Sequence, residues 1–71
     1  MTERETLLVG TWAAARAIGV DPKTLRRWAD AGLVTPADET LGGHLRWNVT
    51  DLRMQVQRIK AERRAYRRAH D

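Results

Sequence analysis

Four side chains within five residues, Lys23, Thr24, Arg26 and Arg27, could hold phosphate oxygens or read base edges. Lysine is a compact cation, arginine a planar fork that matches phosphate or guanine, and a threonine hydroxyl bonds to either. Their spacing matters as much as their type. Leu25, Trp28, Ala29 and Gly32 fall at i, i+3, i+4 and i+7, an apolar stripe that a helix turns inward. Lys23, Thr24, Arg26, Arg27 and Asp30 are left facing out. Further on, Gly42-Gly43-His44-Leu45-Arg46-Trp47 alternates polar with apolar after a glycine pair. Period-two alternation sets His44 and Arg46 on the outer face of a half-buried strand, with Leu45 and Trp47 inward. Gly42 and Gly43 would let the tip approach a partner closely. No nucleophile–base pair, no paired carboxylates and no phosphate-cradling glycine loop are present, so the chain is expected not to be an enzyme. There is no Cys, and His44 and His70 lack ligand spacing, so neither a disulfide nor a metal is expected, nor any other cofactor.

The elements that must position these groups are short. Thr11 is placed to cap a first helix over residues 12–18, whose run of alanines favours helix and admits a close neighbour, with Gly19 as its stop. Only Gly19-Val20-Asp21 separates it from the second helix. There Asp21 is a good N-cap, Pro22 suits the first turn, and Gly32 suits the left-handed turn past the end. Two short helices so closely joined make a helix-turn-helix. Pro36 disfavours helix before it, so residues 33–36 are expected to run extended, residues 38–43 to turn and residues 44–47 to return: a wing. Asn48 is placed to cap a last helix, with Asp51 three residues on. Along it Val49, Leu52, Val56, Ile59, Arg63 and Tyr66 recur at steps of three and four. The seam is apolar only through Ile59, so the first half is expected to pack and the second half to project or fray.

The expected fold class is mainly α with a small β-hairpin wing, a winged helix-turn-helix. The division is a flexible N-terminus over 1–6, a winged helix-turn-helix domain over 7–59 and a basic C-terminal helical extension over 60–71. Trp28 and Trp47 are expected to form the core with Ile18, Leu25, Leu33, Leu45 and Leu52, while Trp12, at a helix start, is partly exposed. Leu7-Leu8-Val9 is the most apolar run. It could cover the domain's own core, or add a third strand to the wing hairpin of its own molecule or a neighbour's.

At 71 residues the chain is one small domain at most, with too few apolar side chains to line a large pocket. The formal charge is +4 and the isoelectric point about 10.7, so an acidic partner is expected. Residues 1–22 are slightly acidic. Positive charge gathers on the second helix, on Arg46 and at the end, where Lys60, Arg63, Arg64, Arg67 and Arg68 oppose Glu62 and Asp71. That distribution suits a phosphate-facing surface. No apolar run is of membrane-spanning length and the start does not read as a signal peptide, so a cytoplasmic protein with no membrane partner is expected.

Thr11-Trp12-Ala13-Ala14-Ala15, then Gly19-Val20-Asp21-Pro22-Lys23-Thr24-Leu25-Arg26-Arg27-Trp28, Ala31-Gly32-Leu33, Gly42-Gly43-His44-Leu45-Arg46-Trp47 and Asp51-Leu52 together resemble the MerR-type winged-helix superfamily. The resemblance covers about residues 7–56 and is nearest to its small single-domain members, phage excisionases and short transcription regulators. It implies a second helix in the major groove of double-stranded DNA and a wing on the backbone or adjacent minor groove. Thr24, Arg26 and Arg27 would be helix contacts, His44 and Arg46 wing contacts, and Lys23 suits a phosphate. Leu45 departs from the family pattern, where arginine is common. The excisionase branch implies a recombination directionality factor that binds repeated sites cooperatively, itself on adjacent sites and even as a head-to-tail filament, bends DNA, and turns a phage integrase toward excision. A small MerR-like transcription regulator uses the same chemistry. A protein-interaction module gripping an acidic partner with its basic helix is the alternative of another class. The effector domain of full-length MerR-type regulators is not expected here.

Overall fold

The computed structural model describes residues 7–70. The expected flexible segment 1–6 lies outside the described residues. Helix α1 is Thr11–Ile18, α2 Pro22–Asp30, strands β1 Asp38–Glu39 and β2 Leu45–Arg46 form an antiparallel pair, and α3 is Val49–Ala69. The winged helix-turn-helix is thus the observed architecture.

Both short helices end the same way. After α1, Gly19 adopts φ +81° and the amides of Gly19 and Val20 donate to Arg16 and Ala15 carbonyls. After α2, Gly32 adopts φ +78° and the amides of Gly32 and Leu33 donate to Ala29 and Trp28 carbonyls. Each pair closes the last turn and reverses the chain within a residue or two. Asp21 caps α2 as expected, its carboxylate accepting the Lys23 amide at 2.8 Å. Asn48 caps α3 by accepting the Asp51 amide at 2.9 Å. The start of α1 differs. Gly10 is the cap residue and offers no side chain, while the Thr11 hydroxyl accepts from Trp47 Nε1 at 3.0 Å. The helix starts one residue earlier than expected, the Ala14 amide donating to the Gly10 carbonyl at 3.0 Å, so Thr11 lies inside it and its hydroxyl serves as the acceptor that the buried Trp47 indole needs.

The wing also differs from expectation. Residues 33–36 are not the outgoing strand; that strand is Asp38–Glu39, fully exposed, paired Asp38 with Arg46 and Glu39 with Leu45. Segment 33–36 is instead tied to α3 through the Gln55 side chain, with Val34 buried in the same core as Leu52. The Gln55 amide accepts from the Thr35 N–H at 2.8 Å and donates to the Thr35 carbonyl at 2.9 Å, as a strand neighbour would.

Seven side chains make the core: Ala14, Ala15, Leu25, Val34, Leu45, Trp47 and Leu52. Val9, Ile18, Val20, Trp28, Ala29, Val56 and Ile59 pack around it, half-buried. Ala14 and Ala15 let α2 lie close on α1, and Leu25 fills that contact. Leu33 departs from its expected core place. It is 44% exposed, because the turn after α2 aims it outward beside Trp28. Val34, the next residue, takes the buried position. Of the apolar run, Val9 pairs antiparallel with Trp47 in the same chain, through bonds of 2.9 and 2.7 Å. Leu7 is exposed and covers no core. Helix α3 packs through Leu52, Val56 and Ile59, and from Lys60 onward every described residue is exposed. Its second half projects, helical to Ala69. No described helix is long and apolar enough to cross a membrane.

Candidate nucleic-acid interface

Helix α2 presents two faces. Leu25 is fully buried, with Trp28 and Ala29 beside it against the core. Lys23, Arg26, Arg27 and Asp30 are exposed on the other side. The hairpin stands across from that outer face because Trp47 is locked into the core and β2 runs straight into it. Alternation then follows: Leu45 and Trp47 are buried, His44 and Arg46 exposed.

Between the two lies an open groove of about 610 Å³, lined by Lys23, Arg26, Arg27 and Asp30 from α2, His44, Leu45 and Arg46 from the wing, and Gly10, Thr11 and Trp12 from the start of α1. Five of the seven residues singled out from the sequence therefore share one concave surface. Thr24 and Gly43 lie outside its lining. The Thr24 hydroxyl accepts from Arg27 Nη2 at 3.5 Å, a long bond that steadies the arginine at its edge. Gly43 sits in the wing turn at φ +86°, where its amide donates to Thr40.

The cations are not equally placed. Arg26 donates Nε to Asp30 at 3.3 Å across one helical turn, both partners half or more exposed. That bond uses Nε and neither Nη group, so it orients the guanidinium without consuming its fork. In water such a pair contributes little to stability. Arg46 lies at the base of the wing, close to Gly10: a methyl group at Gly10 would sit 3.9 Å from Arg46 Nη1. His44 folds back on the turn, its amide donating to the Thr40 hydroxyl at 3.1 Å. The tip itself carries Leu41, fully exposed.

Sequence reasoning did not single out the groove-lining residues at the start of α1, Gly10, Thr11 and Trp12. Arg16 lies over the Trp12 ring, its guanidinium carbon 4.8 Å from the ring centroid. The i, i+4 spacing of Trp12 and Arg16 on α1 was the available signal. Among the described residues no group of acidic, His or Cys side chains is arranged to hold a metal ion.

Residues 13–47 match the family model described as MerR family regulatory protein. The matched stretch runs from Ala13 in α1 through α2 and the hairpin to Trp47, and leaves out Gly10, Thr11 and Trp12 of the groove lining. It supports a helix-turn-helix of the MerR type. No curated protein and no solved structure gives a significant match to the chain.

Proposed function

We propose that this chain is a sequence-specific DNA-binding regulator of the MerR type, with α2 in the major groove and the wing on the flanking backbone. The observation that carries this reading is the groove, in which Lys23, Arg26 and Arg27 face His44 and Arg46 across an open concave surface. A major groove about 12 Å wide admits one helix. The arginines of α2 then meet base edges, Lys23 meets a phosphate, and the wing reaches the strand alongside. Neutralised phosphates release counterions, so the binding is steeply salt-dependent.

The finer reading is an excisionase, a DNA-bending directionality factor that acts with an integrase. What supports it is the likeness of residues 7–56 to small single-domain members of the superfamily, together with physical economy. One domain this small makes few base contacts, so tight binding needs copies on adjacent sites. A transcription regulator on the same domain is supported by the family match at residues 13–47. Footprinting on DNA flanking the gene, followed by recombination of that DNA with and without a neighbouring integrase, tests both levels. Protected repeats whose occupancy falls with salt support DNA binding, and stimulated excision supports the excisionase. A footprint over a promoter with no effect on recombination leaves the regulator and removes the excisionase. No salt-dependent footprint removes the reading itself.

A further inference from the structure

Trp12 is a large apolar side chain left 63% exposed, whereas Trp47 is 1% exposed and Trp28 is half-buried against the core. It does not lie on an idle surface: it lines the same groove as Lys23, Arg26, Arg27 and Arg46. Its place is fixed from two sides. The preceding residue, Thr11, is tied to the core by the bond from Trp47 Nε1 at 3.0 Å. Arg16, one turn on, stacks over the ring at 4.8 Å. An exposed indole held in a cationic groove fits a ligand with both an apolar and an anionic part, and a sugar–phosphate strand has both.

We propose that Trp12 and Arg16 form a clamp on the DNA backbone, adding α1 as a third point of contact beside α2 and the wing. The indole packs against a deoxyribose and donates Nε1–H to a phosphate oxygen, and Arg16, stacked on the ring, brings a cation to the same strand. This rests on the DNA-binding reading above. Because sugar and phosphate carry no base identity, the clamp strengthens binding to every sequence alike and fixes how α2 sits in its groove. Arg16 is steadied by the ring, so it loses less freedom on binding than a solvated arginine would.

The test compares the full chain with Trp12→Ala, Trp12→Phe, Arg16→Ala and Arg27→Ala. Each protein is titrated against the footprinted duplex and a scrambled duplex of equal length, over a range of salt, with thermal melting alongside. Trp12→Ala is expected to melt like the parent and to lose affinity about tenfold on both duplexes, a size typical of one good contact. Trp12→Phe keeps the ring without the N–H and recovers part of the loss. Arg16→Ala lowers the salt slope by about one. Emission lost in Trp12→Phe identifies the Trp12 signal, and duplex is expected to shield that signal from acrylamide. Parental affinity in Trp12→Ala, with Arg27→Ala still impaired, overturns the clamp and leaves the DNA reading standing. A loss confined to the footprinted duplex also overturns it, because Trp12 would then be reading a base. An unchanged salt slope in Arg16→Ala removes Arg16 from it. A folded parent that binds neither duplex ends both the clamp and the reading beneath it.

Discussion

Removing the Trp47 side chain tests how the fold builds the groove. The residue is 1% exposed, donates to Thr11, and exchanges two backbone bonds with Val9. It thus joins the start of α1, the end of the hairpin and the core at one point. Trp47→Ala removes a large buried ring and leaves a cavity, a change worth about 3–5 kcal/mol. At roughly 0.05–0.15 kcal/mol per residue, a chain this size holds only about 4–11 kcal/mol in total. At roughly 4–8 °C per kcal/mol for a domain of this length, the variant is therefore expected to melt about 12–40 °C below the parent. Trp47→Phe separates the ring from its hydrogen bond. Thr11 is half-buried as a residue, and losing an ordinary hydrogen bond costs about 1 kcal/mol, with some loss of packing besides. For a domain of this length about 1 kcal/mol lowers the melting temperature by roughly 4–8 °C. Circular dichroism on heating measures both variants. A Trp47→Ala protein that melts within a few degrees of the parent would refute the core placement, and with it the reason the wing stands opposite α2.

Three further outcomes are expected. Gly43→Ala meets no side chain but forces a Cβ into φ +86°, so melting should fall by the equivalent of about 1–2 kcal/mol; an unchanged melt would show that the wing turn relaxes freely. A chain beginning at Gly10 loses both Val9–Trp47 bonds and the Val9 packing, so it should melt lower than the full chain. Equal melting would show the bridge to be idle, and lost cooperativity on adjacent DNA sites beyond the stability change would mark residues 7–9 as a contact between copies. Arg46→Ala should leave melting near the parent's, since the side chain is exposed, yet weaken DNA binding. Replacing an A·T run at the wing position should mimic it if Arg46 enters a narrow minor groove, whereas sequence-independent weakening would place Arg46 on phosphate beside Gly10.

Much of this was legible because the helix ends are written in residue types. Asp21-Pro22 and Gly32 bound α2, Gly19 ends α1, and the Leu25/Trp28/Ala29 stripe fixes which side of α2 carries its cations. The alternation of residues 44–47 likewise set Leu45 and Trp47 inward and Arg46 outward. What failed was set by tertiary demand. The outgoing strand Asp38–Glu39 is two exposed acidic residues, with no apolar member to announce it, so register came from its pairing with Leu45–Arg46 and not from pattern. Leu33 looked like core, but its amide closes the turn after α2, which passes the buried position to Val34. Thr11 has the residue type of a cap, but α1 starts at Thr11 itself and leaves Gly10 in the cap position. The Gln55 clamp on Thr35 spans twenty residues and leaves no local signal. Trp12 reads as partly exposed at its helix start, but its place in one groove with the cations of α2 depends on where the hairpin lies, which no local pattern gives.

The most direct measurement is the affinity of the parent and of Arg27→Ala for the footprinted duplex, taken from about 50 to about 200 mM salt. For the parent, log affinity is predicted to fall linearly with log salt. The variant, folded by circular dichroism, is predicted to bind about 1–3 kcal/mol more weakly if Arg27 reads a base, or to lose about one unit of slope if it holds a phosphate. A folded variant with the parent's affinity at every salt concentration would contradict the placement of α2 against DNA.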